Sequence, residues 1–404
     1  MVAGLTLVLW LAAAPNLASA EDVSAALHRL GAADLVLVND PAGARPARVL
    51  LATRVAVSAE DVRTVITDPS AYGKAIPSFR RVEVVAKLER EPGIADMEVA
   101  WELEVPLRNL RGKLWLRPQE NGVDLQLSEG DFAPGLFHLS ARKEKPGGNV
   151  ESVLTIEGFA NVRDVNWATR QIAQRSPIAE PAITVAAVYV LLKSLARLAE
   201  GTSPARPGAA MAAPEPSSLN GGALAGQTVN ATAQSKKVLA AVRSRADGRL
   251  SRVEVAVHVS APADQVTRRT MQPKPFVHMP GWKKITPVSG KPDECKDTAA
   301  LCWKVDTNLP VFSLDGTWKI RPRPWRARMV AGDSKGAVMG IDVVPATPNP
   351  SGGSTLVLSQ HPRLDMAGYV ARKLIAAEPF LEHGLALALT LVEAVSLGPA
   401  LEKD

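Results

Sequence analysis

The residues able to do chemistry are few and scattered. The chain has six histidines and two cysteines. General acid or base catalysis needs a histidine or carboxyl aimed at a substrate within hydrogen-bond reach. His28 stands ahead of the first strand and His138 within one, neither with an acidic partner at a suggestive spacing. His258 falls on the strand face opposite Val253, Val255 and Val257, His278 lies in a turn, and His361 precedes a proline at a strand end. They do not converge, and no catalytic residue is assigned. Cys295 and Cys302, in ECKDTAALC, lack the further ligands that a zinc site requires, and their spacing is not that of a redox pair. A local disulfide closing a loop is the expectation, with no metal and no cofactor.

Two further stretches could touch a ligand or a surface. Tyr72, in DPSAYGKAIP, has an amphipathic ring that could meet a polar head, or else packs the turn against a sheet. In RPRPWRAR, Arg321 to Arg328, four arginines surround Trp325. That composition suits transient docking on an anionic membrane surface, or a solvated strand face with one exposed ring.

These residues must be held by strands and by two apolar helices. In MEVAWELEV, Met97, Val99, Trp101, Leu103 and Val105 share one face and glutamates the other, the period of a strand buried on one side. GVDLQLSEG places Val123, Leu125 and Leu127 inward, and LRGKLWLRP adds Leu114 and Leu116. Short turns between such runs imply an antiparallel meander. AITVAAVYVLLKSLARL and GLALALTLVEAVSL are apolar around most of their circumference and must be largely covered. A curved sheet wrapped round one long helix meets both needs.

The pattern occurs twice. IPSFRRVEVV (76–85) is answered by MPGWKKITPV (279–288), VAVSAEDV by VHVSAPADQV, WELEV by WKVDT, and LRGKLWLRP by LDGTWKIRP. This matches Trp101 with Trp303 and Leu114 with Trp318, and places Ser58 and Ser260 as helix N-caps. Glu180-Pro181 answers Glu378-Pro379, each ahead of a long helix ending at Gly201 or Gly398.

Hydrophobic residues make up 46% and charged residues 22% of 404 residues, enough for two cores. The net charge of +6 is spread along the chain, and no helix-turn-helix, phosphate loop or basic-aromatic cluster points to nucleic acid. Residues 1–20 carry an apolar run ending in Ala18-Ser19-Ala20, an export signal without a basic start. The expected organisation is a signal peptide over 1–20, a first domain over 21–200, a flexible Pro/Gly/Ala/Ser-rich linker over 201–235 and a second domain over 236–404.

The order of elements, with the D-P-x-x-Y-x-x-x-I-P turn, the aromatic-cation-cation strand and the long last helix, resembles the START-like superfamily, including the polyketide cyclase/dehydrase and coenzyme-Q-binding START-like groups. The resemblance spans residues 34–200 and again 236–398. It implies an α+β architecture of two tandem helix-grip domains, each with an apolar cavity between sheet and helix. The cavity residues are then Tyr72, Trp101, Leu103, Leu114, Leu116, Leu125, Leu127, Trp303 and Trp318. The second copy has Gln272 for Asp68 and Phe276 for Tyr72, which points to the first copy as the binding half.

The expected function is an exported binder or carrier of an apolar small molecule, such as a lipid, quinone or sterol-like compound, in the periplasm or outside the cell and without catalysis. The alternatives are a polyketide cyclase/dehydratase-like enzyme, which would need a polar group on an inward position, and an interaction module with filled cores.

Overall fold

The computed structural model describes residues 20–39, 47–104, 109–144, 152–163, 165, 170, 178–202, 219, 222, 224, 237–288, 295, 300–307, 315–345, 353–366, 369–378 and 380–403. Residues 1–19 of the expected signal peptide (1–20) and most of the expected linker 201–235 lie outside these. A disulfide joins Cys295 and Cys302, as expected.

Each half begins with two strands, runs through two short helical turns into a six-stranded meander, and ends in a long helix. In the first half these are β1 (Asp34–Asn39), β2 (Arg48–Val55), α2 (Ala59–Thr67), α3 (Pro69–Ala75), β3 (Phe79–Glu91), β4 (Ile94–Leu103), β5 (Leu110–Gln119), β6 (Gly122–Gly130), β7 (Phe132–Lys143), β8 (Ser152–Asn161) and α4 (Ala179–Ala199), with α1 (Ala20–Leu30) ahead of them. The second half has β9 (Lys237–Ser244), β10 (Leu250–Val259), α5 (Ala263–Arg269), a 3-10 turn (Lys274–His278), β11 (Trp282–Pro287), β12 (Leu301–Thr307), β13 (Gly316–Pro322), β14 (Trp325–Gly332), β15 (Val338–Pro345) and β16 (Ser354–His361). It closes with α6 (Tyr369–Ala377) and α7 (Leu381–Ala400). The fold is α+β with two tandem helix grips.

The halves are not beads on a string. β1 pairs antiparallel with β9, which fuses both meanders into one 16-stranded sheet with β11 and β3 at its edges. The strands nearest this seam are apolar on both faces because both faces are covered. On one face Val36, Val38, Val49 and Leu51 meet the long helices. On the other, Leu35, Leu37, Leu50, Leu239 and Ala241 meet Val23, Leu27 and Leu30 of α1. The carbonyls at the C-terminal end of α1 accept from Arg54 of the first half and Arg243 of the second, satisfying groups a helix end leaves free. Leu219 and Leu224, within the stretch read as linker, are buried, and the Leu224 amide donates to Glu254.

The two long helices also meet. Gly384 of α7 lets the backbones close, since a Cβ there would stand 2.8 Å from the Ala186 carbonyl oxygen of α4. Beside this contact lies a buried polar cluster. The Asp34 carboxylate accepts from Thr53, Tyr189 and Lys193, Tyr189 stacks on His383 at 6.0 Å, and His383 meets Ser244 at 3.2 Å. Polar groups buried this deeply hold only one arrangement well, so the cluster sets how the halves sit.

The repeat shows at helix ends too. The Ala56 amide donates to Glu200 and the Ser260 amide to Glu402, so each long helix is tied back to the loop after its half's second strand. Ser58 caps α2 by accepting from the Asp61 amide at 3.1 Å. Ser260 caps nothing: it answers Ala56, two residues off the motif alignment, and Pro262 stands at the N-cap of α5 where the first half has Ser58.

Candidate functional site

Strand registers give the true equivalences between the halves. Leu114 pairs with Leu127, and Trp318 with Met329. Phe79 pairs with Leu103, and Trp282 with Thr307. Val49 pairs with Gly158, and Val253 with Gln360. Trp101 pairs with Gly112, whereas Gly316, the counterpart of Gly112, pairs with Val305. Trp303 therefore answers Val99, not Trp101. A slip of two residues keeps every side chain on its face, so alternation alone could not detect it. The helices show a similar slip: Glu180 and Glu382 each stand in the first turn, so Glu382, not Glu378, answers Glu180. Gly201 follows α4 with φ +65°, while Gly398 lies inside α7. In this alignment Leu191 of α4 occupies the position of Glu393 in α7.

The concave face of the first half is apolar and accessible. Leu116 and Leu125 are buried in the core, but Phe79, Leu103, Leu114, Leu127 and Leu191 are only half-buried although they pack against it. Trp101 sits at the end of this face in a satellite cluster with Leu110 and Val165. Its ring lies 6.2 Å from Phe132 in a stack and 6.5 Å from Phe79 edge-on. It covers Gly112, where a Cβ would stand 2.9 Å from the indole. The Trp101 indole nitrogen is buried without a hydrogen-bond partner. Tyr72 is buried in α3, and its hydroxyl donates to the Ile66 carbonyl at 2.7 Å. That bond anchors the turn to α2, and burial beside Asp68 pushes the phenol pKa up, so it remains neutral.

The second half fills the same space with indoles. Trp282, Trp303 and Trp318 stand where the first half has Phe79, Val99 and Leu114, and all three are buried. Trp325 joins them, stacked on Phe276 at 5.5 Å, with its indole N–H donating to the Thr270 carbonyl at 2.8 Å. This corrects the expectation for the arginine-tryptophan stretch, because the ring is core, and Arg326 is buried in a pair with Asp342 at 2.9 Å. No exposed ring there can anchor on a membrane.

Among these indoles lies a buried carboxyl. Glu393, 2% exposed, accepts from the Trp282 indole at 2.9 Å and from the Gln360 amide. Burial pushes its pKa up to about 7 against the pull of those two donors. Glu393, Gln360, Trp282, Trp318, Thr307 and Leu389 line a cleft of about 330 Å³, counting its open mouth. Its enclosed part holds about one water molecule. Sequence reading missed Glu393 and Gln360. The available signal was a single acid inside an otherwise apolar helix, which must be buried wherever the helix is.

No family model matches this chain, and no curated protein does. Solved structures align with it at low identity and low TM-score. TTHA0849, a protein from Thermus thermophilus, is 18% identical, with 38% of this chain and 97% of that one aligned at a TM-score of 0.29. A START superfamily protein from Mycobacterium smegmatis is 19% identical over 38% of this chain and 94% of its own, at a TM-score of 0.28. The di-domain ARO/CYC StfQ from the steffimycin biosynthetic pathway is 10% identical over 86% of this chain and 97% of its own, at a TM-score of 0.25.

Proposed function

We propose that the protein is an exported, non-enzymatic binder or carrier of an apolar small molecule, held against the concave face of the first half. The observation that carries this reading is the contrast at equivalent positions. Phe79, Leu114 and Leu127 are half-buried, whereas Trp282, Trp318 and Met329 are buried. Apolar side chains left partly accessible inside a grip keep surface that a guest can remove from water, at about 25 cal/mol per Å². The small-residue export signal directly ahead of α1 supports placement outside the cytoplasm.

The test transplants the second half's filling into the first. Solvent extraction and mass spectrometry of the purified protein identify any retained lipid, and a fluorescent long-chain probe reports occupancy. Leu114→Trp, copying Trp318, is expected to weaken the probe at least tenfold while the protein stays folded. Unchanged probe affinity in this variant would remove the first-half groove as the site.

A further inference from the structure

The cleft around Glu393 has chemistry that the apolar groove lacks. Three other buried acids have cationic partners: Asp34 meets Lys193 at 3.1 Å, Glu254 meets Arg252 at 2.7 Å and Asp96 meets Arg90 at 2.7 Å. Glu393 instead receives two neutral donors, Trp282 and Gln360, and a carboxyl has about four acceptor sites. Trp318 lines the same cleft; its indole N–H is buried without an acceptor and the residue is 6% exposed. A residue with a buried, unpartnered donor and a residue with a buried acceptor that has spare lone pairs line one cleft whose enclosed part holds about one water-sized group. Leaving such groups unmatched is costly, and one atom able both to accept and to donate would satisfy both.

We propose that the second-half cleft seats the hydroxyl group of a small alcohol or phenol, which accepts from the Trp318 indole N–H and donates to the Glu393 carboxyl. The remainder of the ligand lies toward the mouth, against Leu389, Met339 and the Trp282 ring. A carboxylate-bearing ligand is disfavoured because its charge would meet Glu393. An alkane analogue leaves both protein groups unmatched. The first half cannot do this: Leu191, Gly158, Phe79 and Leu114 stand where the second has Glu393, Gln360, Trp282 and Trp318. This site stands apart from the apolar groove of the first half, and its test separates the two.

The full chain is titrated with 4-propylphenol and with propylbenzene, following indole fluorescence and calorimetry. The phenol is expected to bind at least tenfold more tightly than the hydrocarbon. Trp318→Phe, which removes the N–H and keeps a ring, and Glu393→Gln are each expected to abolish most of that discrimination. Leu114→Trp is expected to leave it intact while weakening the long-chain probe. Equal affinity for the two compounds overturns the proposal, as does absence of binding by either. So does discrimination that survives both cleft variants, or that is lost only in Leu114→Trp. Should Glu393→Gln fail to fold, Trp318→Phe alone decides. None of these outcomes bears on the groove, which the long-chain probe and Leu114→Trp judge separately.

Discussion

The two halves share one architecture and differ in what fills the grip. In the first, the inner sheet face is Phe79, Val99, Leu114 and Val123 beneath Leu191. In the second, the same positions are Trp282, Trp303, Trp318 and Trp325 beneath Glu393. Of the four first-half residues, Phe79 and Leu114 are half-buried and Val99 and Val123 buried, whereas all four indoles of the second half are buried. Glu393 gives that core a polar cleft. A duplicated fold has thus kept its backbone and divided its interior, one half soft and apolar, the other filled and polar at one point.

The largest test of this contrast exchanges fillings. Trp303 is 4% exposed and meets the Phe276 ring edge-on at 5.2 Å. Trp303→Val, the residue of the first half, is expected to cost about 3 kcal/mol, from lost transfer energy and the cavity left behind. The opposite exchange, Leu114→Trp, is expected to cost less than about 1 kcal/mol, because its neighbourhood has room and overpacking strain is small. Urea unfolding of both variants measures the asymmetry. Equal losses would mean that the first half is as densely filled as the second.

The same contrast explains what could be read from the sequence and what could not. Period-two runs such as MEVAWELEV and the doubled turn are local signals, so the meanders, the grips and the repeat were legible. The fusion through β1 and β9 was not, since a strand that is apolar on both faces does not reveal which strand lies beside it. Residue equivalence failed wherever a slip preserves the pattern: two residues along β12, or about one turn along α7. The polar site failed for another reason. Glu393 looks like a solvated charge until the strands bearing Gln360 and Trp282 are brought over it.

Titration behaviour also divides the halves. Burial raises Glu378, Glu382 and Glu393 to about 7 and lowers His361 to about 4 and His383 to about 3, and all five belong to the second half. For the acids the folded pKa lies above the unfolded value of 4.5, so their stabilisation is complete below pH 4.5 and is lost as pH rises to about 7. For the histidines the folded pKa lies below the unfolded value of 6.5, so theirs is complete above pH 6.5 and is lost as pH falls toward 4 and 3. Between pH 4.5 and 6.5 the two sets oppose each other. Glu393→Gln removes one acid, so relative to the parent this variant is expected to gain up to about 1.4 kcal/mol per pH unit as pH rises through that window. Urea unfolding at pH 4.5, 5.5 and 6.5 reads the difference. A constant difference would place Glu393 in a wetter site than its burial indicates.

The smallest effect tests whether the copies have diverged even where their sequences agree. Both carry Val-Ser-Ala ahead of a short helix, in VAVSAEDV and VHVSAPADQV. In the first copy the Ser58 hydroxyl accepts from the Asp61 amide, satisfying one of the donors that the first turn of a helix leaves free. In the second, Pro262 takes the N-cap position and, being proline, offers no side-chain acceptor, while the Ser260 amide is drawn to Glu402. Ser58→Ala is therefore expected to cost about 1 kcal/mol, the usual loss of a cap. Ser260→Ala is expected to change stability by less than about 0.5 kcal/mol, because only its backbone is engaged and alanine keeps that bond. Thermal unfolding of the two variants side by side decides the matter. Equal losses would mean that Ser260, and not Pro262, caps α5.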